Sequence, residues 1–335
     1  MMYLVVTHAP TIPYRLLSQL LHFPTMNLLR RVSQCLLVSL TVIFVACSGT
    51  PSRPEGPAPA RGQDTLTLGQ LIVGALRASQ VDRNPPQALL FAERALAQEP
   101  GRPDLVWLTA RLCADVPRCD VEALEARLRK LDPRNAIVWM GPLSRARRQR
   151  DPAVEQEVLE ALSRVDRFDV YWNSLLWQGA VALSEQSPKP APKILNGPLT
   201  QAINDVAGWL SAVTVPSFAD LADACNSKRT MENAVAERCR RIAQVLQQGD
   251  TYAAEAVGIG IAQRAVAANS PAIIALSERA AVLSYQHKGA REVVASQVER
   301  EKISAELIEL MKKLRREQDV SLAVLRWAGQ PLRPE

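Results

Sequence analysis

Residues 88–100, ALLFAERALAQEP, and residues 127–146, RLRKLDPRNAIVWMGPLSRA, decide how this chain folds. In both, apolar residues return at intervals of three and four, which places them on one face of a helix. Each run closes on an acid followed by proline, Glu99-Pro100 and Asp132-Pro133, and a tryptophan comes next, Trp107 and Trp139. Trp172 continues the series, so the tryptophans stand 32 and 33 residues apart. Before Trp172 the acid-proline pair is replaced by Asp166-Arg167. The same three-and-four spacing extends over almost everything after Thr65, as in Val154, Val158, Leu159, Leu162 and Val165, and no segment sustains a two-residue alternation. Helix-start chemistry recurs at Pro86, Asp151-Pro152, Asp250-Thr251 and Ser270-Pro271. The expected fold class is all-α.

A period near 34 residues with two helices per unit resembles the tetratricopeptide repeat, over roughly residues 85–185. The resemblance implies stacked helix hairpins, an α-solenoid over 65–187, with the tryptophan on the first helix of each following unit. Residues 187–198, SPKPAPKILNGP, hold five prolines or glycines in twelve positions and break the pattern, as a long loop or a subdomain boundary at 188–198. A C-terminal helical subdomain is expected over 199–330. Its helices are read at 199–213, 217–225, 231–248, 251–269 and 272–287, then a long charged helix over about 290–316 and a short one through Trp327. Ile303, Leu307, Leu310, Met311 and Leu314 give the long helix one apolar face, expected to pack on the stack. Gly258 and Gly260 fall within a helical run without a preceding strand, so they read as close-packing positions and not as a nucleotide fingerprint.

The N-terminal segment sets the expected compartment. Arg30 and Arg31 precede an uncharged run from Leu36 to Ala46, too short to span a bilayer and of signal-peptide size. It ends in Phe44-Val45-Ala46-Cys47, which resembles the lipobox of bacterial lipoproteins. That resemblance implies cleavage before Cys47 and lipid attachment to it, with residues 1–46 as extension and signal and Met26 as a second start. Residues 48–64, SGTPSRPEGPAPARGQD, lack the apolar residues for a core, so 47–64 reads as a lipidated cysteine and Pro-rich tether. Extended, such a tether reaches about 50 Å at ~3.1 Å per residue. Ser48 after the cysteine resembles outer-membrane-sorted lipoproteins and implies the periplasmic face of that membrane.

Residues 1–46 contain three arginines and no acid, so removing them takes the formal charge from +6 to +3. So nearly balanced a chain gives no electrostatic case for nucleic acid. Of the cysteines beyond Cys47, four remain: Cys113, Cys119, Cys225 and Cys239. Four permit three pairings, and the local one, Cys113–Cys119 with Cys225–Cys239, is favoured because each pair flanks an expected helix–helix turn. Paired C-x-x-C ligands are absent, so no metal site is expected.

Only His287 remains of the three histidines after residue 46, which leaves no Ser-His-Asp or Cys-His hydrolase and no histidine zinc site to assemble. It precedes Lys288-Gly289 and reads as an exposed helix end. Glu278 is the nearest candidate acid for a carboxylate-based cell-wall enzyme, but it lacks the Gly-rich, aromatic surroundings of helical lytic transglycosylases, which the chain otherwise resembles in build. The arginines at 145, 147, 148 and 150 read as a helix end complementing the dipole, with Arg145 and Arg148 as candidate docking cations. Tyr171 and Trp177, from the densest aromatic group, are the candidate groove residues, while Trp107, Trp139 and Trp172 are expected in the core. The functional expectation is a non-catalytic, lipid-anchored periplasmic protein without cofactor or small-molecule substrate, binding a protein partner as an envelope adaptor. An immunity-type lipoprotein that inhibits a secreted effector is the alternative, and a carboxylate enzyme the more distant one.

Overall fold

The computed structural model describes residues 66–186, 197–226, 233–267, 270–296 and 300–334. The lipobox, Cys47 and its tether, and most of the Pro-rich stretch before Gly197 lie outside these. The described residues form fourteen α-helices and a 3-10 turn, with an isolated parallel bridge between Asn135 and Arg167 in place of any sheet. The all-α fold of stacked helix hairpins is therefore as expected.

Helix starts follow local chemistry. α1 (Leu68–Gln80) opens on a reciprocal cap in which Gln70 N donates to Thr67 Oγ1 and Thr67 N donates to Gln70 Oε1. Asn84 caps α2 (Pro85–Gln98), Asp120 caps α4 (Val121–Leu131) and Asp151 caps α6 (Pro152–Arg164), with proline at the first helical position in α2, α3 (Pro103–Cys113) and α6. The turn Ala136–Trp139 leads into α5 (Met140–Gln149).

The 33-residue period reappears as polar contacts between successive units. Gln98 Nε2 donates to Leu66 O at 2.9 Å, Asn135 Nδ2 donates to Asp169 O at 2.9 Å, and Ala136 N donates to Arg167 O at 2.8 Å. Where the third unit lacks its acid-proline pair, Arg167 bonds Asp132 and Asp169 instead. The hairpins do not continue as an open ladder, because α7 (Trp172–Glu185) returns to pack on α1 and then pairs with α8 (Pro198–Val213).

A second run of neighbours follows: α9 (Ala219–Ala224) beside α5, α10 (Asn233–Gln247) on α6, and α11 (Tyr252–Arg264) on α10. One core spans Leu71 to Ile261 and so crosses the 187–198 stretch, while a smaller cluster unites α12 (Pro271–Ser296), α13 (Arg300–Lys313) and α14 (Glu317–Trp327). Leu307 and Ile303 on α13 bury as expected, and α13 packs on α7 and α8. Both local disulfides are formed, Cys113–Cys119 and Cys225–Cys239, with Cα atoms 5.4 and 5.6 Å apart.

Two expectations are corrected. The helix expected to stop at His287 runs on to Ser296, because Gly289 is a packing position: a Cβ there would sit 3.2 Å from Leu325 Cδ2 of α14. His287 is accordingly half-buried within α12, edge-on to the Tyr252 ring at 4.5 Å, and burial together with Arg291 holds its pKa below the usual histidine range. Gly258 does serve close packing, with Ala243 O 2.8 Å from where its Cβ would be, whereas Gly260 faces open space.

The junction of the two runs is the carboxylate of Asp250, expected only as part of a helix start. Thr251 caps α11, while Asp250 caps α7 from a distance. Its oxygens accept from Val170 N and Trp172 N, all at 3.0 Å, beside Tyr171, whose own backbone is left-handed at φ 62°. Asp250 is fully buried; desolvation and the adjacent Asp169 carboxyl raise its pKa well above the ordinary value. Asp169 is itself held by Arg167 and Arg315.

A raised folded-state pKa stabilises below the unfolded value and loses that contribution as pH rises through the folded value. Asp250→Asn imitates the protonated acid, so wild type should lose melting temperature relative to this variant as pH is raised from 4 to 8, measured by circular dichroism. Asp250→Ala orphans the buried N–H groups of Val170 and Trp172 and should cost about 1–3 kcal/mol for each at acidic pH. Reduction of the Cys225–Cys239 bridge, which closes a loop of sequence separation 14, should lower unfolding free energy by about 3 kcal/mol in urea titrations with and without reductant.

Candidate functional site

A cleft of about 590 Å³ opens between α3, α4, α5 and the segment before α9. Its walls follow from local sequence. The Cys113–Cys119 bridge fixes the turn from α3 into α4 and contributes Cys119 to the lining; α5 supplies Gly141, Ser144, Arg145 and Arg148. Leu143 and Ala146 of α5 are buried in the core outside the lining, which turns the other face of the helix toward the cleft.

The floor is a built ion pair. Glu125 is buried on α4, and its two oxygens accept from Arg145 Nη1 at 3.1 Å and Nη2 at 2.5 Å, while Arg145 Nε lies 3.3 Å from Glu122. Hydrogen bonding to Glu125 raises the Arg145 pKa, so the guanidinium is held charged. Gly141 makes the pair possible, since a Cβ there would fall on the Glu125 carboxylate. On the far rim Ser144 Oγ donates to Asp220 at 2.6 Å, and Arg147 lies 3.4 Å from Asp220 and from Glu155. Asp120 accepts from Ala123 N at 2.9 Å as the α4 cap. Each acidic side chain lining the cleft is thus compensated.

Arg111 is different. Its Nε donates to Val213 O at 2.9 Å and its guanidinium carbon lies 5.5 Å from the centroid of the Trp107 ring, whose Nε1 donates to Thr214 O at 3.2 Å. Among the described residues no carboxylate stands within ion-pair distance of it, and burial pulls its pKa below the ordinary arginine value against the weaker pull of Asp115 and Glu125. Arg148 is exposed on the same cleft and likewise has no ion pair among the described residues.

The four candidate docking residues separate into two places. Arg145 and Arg148 share this cleft, with the charge of Arg145 engaged and that of Arg148 free. Tyr171 and Trp177 line a smaller hollow of about 280 Å³ beside α13. There Tyr171 is 9% exposed; its hydroxyl donates to Asp132 Oδ2 at 2.6 Å and accepts from Asn135 Nδ2 at 3.1 Å. Burial and Asp132 raise its pKa far beyond the tyrosine range. Tyr171 is therefore an internal strut and not a groove residue, because its hydroxyl is already spent within the stack. Trp177 is half-exposed beneath Lys312, whose Nζ lies 5.4 Å from the ring centroid. Glu278 is exposed on α12, and its neighbour Arg279 bonds the buried Glu255.

The arginine cluster divides: Arg148 and Arg150 are exposed at the end of α5, as expected of a solvated helix end, with Arg150 left-handed at φ 55°, whereas Arg145 and Arg147 are partnered. Arg111 escaped sequence reading, although a signal exists, since it is the one cation in the helix PDLVWLTARLC. No group of three or more His, Cys, Asp or Glu side chains among the described residues is arranged to hold a metal ion. Comparison of the chain with protein-family models, curated proteins and solved structures returns no match.

Breaking the floor pair should be costly in a specific way. Arg145→Ala strands the buried Glu125, and with 25% of the arginine side chain exposed the loss should be about 2–3 kcal/mol, below the roughly 3–5 of a fully buried pair. Adding Glu125→Gln should recover most of it in a double-mutant cycle measured by urea unfolding.

Proposed function

We propose that the chain is a non-catalytic, lipid-anchored envelope protein that binds a protein partner through its helical stack, as an adaptor. The observation that carries this reading is the cleft beside α3 and α5: its acids are tied into ion pairs and caps, which suits recognition, while two of its arginines have no ion pair among the described residues. Two disulfides point to an oxidising compartment. No helix among the described residues is long and apolar enough to cross a membrane. Membrane attachment is through Cys47, whose lipobox-like context implies thioether lipidation, at the periplasmic face of the outer membrane.

Two measurements test the reading. Metabolic labelling with an alkyne fatty acid should mark the full-length protein and not Cys47→Ser; equal labelling of both removes the anchor. A photo-crosslinking residue at Ser217, on the cleft, should capture a discrete protein in intact cells, whereas the same residue at the exposed Leu90 of α2 should not. Equal capture from both positions, or release of soluble fragments from peptidoglycan by the purified protein, would replace this reading with another.

A further inference from the structure

We infer that Arg111 and Arg148 form an acceptor site for a carboxylate side chain of an acidic peptide segment, entering the cleft beneath the Cys113–Cys119 turn. The inference rests on the cleft being the partner surface and adds the chemistry that the partner brings. Arg111 spends one of its five N–H groups, Nε–H, on Val213 O; the hydrogens on its two terminal nitrogens have no protein acceptor among the described residues. Its planar face is covered by Trp107, which leaves the edge of the fork as the route for a ligand. A guanidinium edge of this kind matches the two oxygens of a carboxylate.

Burying a cation without a counter-ion is unfavourable, and elsewhere on these walls the chain avoids it. Arg145 answers Glu125 and Glu122, and Arg147 answers Asp220 and Glu155. Arg111 is half-buried, with its Nε–H on Val213 O and its face on Trp107, so the edge of its fork is left to water or to a ligand oxyanion. Arg148, exposed on α5 in the same cleft, supplies a second cation for a neighbouring acid on the same segment. The site is selective against stray anions by local arrangement and not by net field, because the compensated acids Asp120, Glu122, Glu125 and Asp220 surround it. A peptide that places its carboxylate at Arg111 gains the pair, while one that misses meets those acids.

The test uses the full-length protein in detergent with an acetylated, amidated tri-glutamate peptide, its tri-glutamine counterpart, and inorganic phosphate, read by calorimetry and thermal melting. Tri-glutamate is expected to bind and to raise the melting temperature, with affinity falling as salt is raised; tri-glutamine is expected to do neither. Arg111→Gln, which keeps a donor for Val213 O, should weaken tri-glutamate at least tenfold, and Arg148→Gln by less. Without peptide, Arg111→Gln should melt no lower than wild type, since it removes a half-buried charge that has no ion pair among the described residues. Arg111→Lys, with the charge but without the fork, should fall between.

Failure of wild type to bind tri-glutamate, an unchanged affinity in Arg111→Gln, or a large loss of its stability in the absence of peptide would overturn the assignment, the last by making Arg111 structural. Phosphate binding as tightly as tri-glutamate would overturn the peptide source in favour of a free anion. Partner capture at Ser217 with unaltered peptide affinity in Arg111→Gln leaves the adaptor reading standing and removes this site. Peptide binding without capture removes the adaptor reading and leaves the site.

Discussion

The carboxylate of Asp250 sits where three segments far apart in sequence meet. It accepts the N–H groups of Val170 and Trp172, which open α7, and its own carbonyl accepts Glu317 N at 2.8 Å at the start of α14. Arg315 and Arg316 reach back from the same stretch to Gln248 O and Gly249 O at 3.1 Å each, and Tyr252 N donates to Glu317 Oε2 at 3.0 Å. Burying a carboxylate so completely is tolerable because both of its oxygens accept from backbone N–H groups. The start of α7 has no cap of its own, since Tyr171 is left-handed and its side chain points to Asp132. The first hairpins, the α10–α11 turn and the last helices are thus registered by one acid.

What the sequence disclosed and what it concealed divide along the distance over which each feature is decided. The helices at 88–98 and 152–164, the caps at Asp151 and Thr251, and the local disulfides are settled by residues within one or two turns of each other, and each was readable. The apolar face of α13 was readable for the same reason. The continuation of α12 through Gly289 was not, because Leu325, which makes that glycine necessary, is 36 positions further on. Asp250 is the extreme case: its helix-start context is genuine, and yet the helix it caps begins 78 residues earlier.

The same division explains the candidate site. Arg145 and Arg148 were visible as a basic run, but the run carried no record of which charge is answered. Glu125 stands 20 residues before Arg145, and only the approach of α5, permitted by Gly141, brings them together. Tyr171 looked available because aromatic clustering reports composition and not hydrogen bonding. Asp132 and Asn135, which occupy its hydroxyl, belong to the preceding repeat unit.

The architecture also accounts for why Arg111 lies where it does. Arg111 is two residues before Cys113, in the last turn of α3, and the bridge to Cys119 pins the chain immediately beyond it. Its Nε is held to the end of α8 through Val213 O, and the ring of Trp107 is fastened to Thr214 O one residue later. Its place on α3 and its bond to the end of α8 together set the cation on the wall of the cleft. The bridge that an oxidising compartment permits thus closes the turn beside the arginine whose fork edge opens on the cleft.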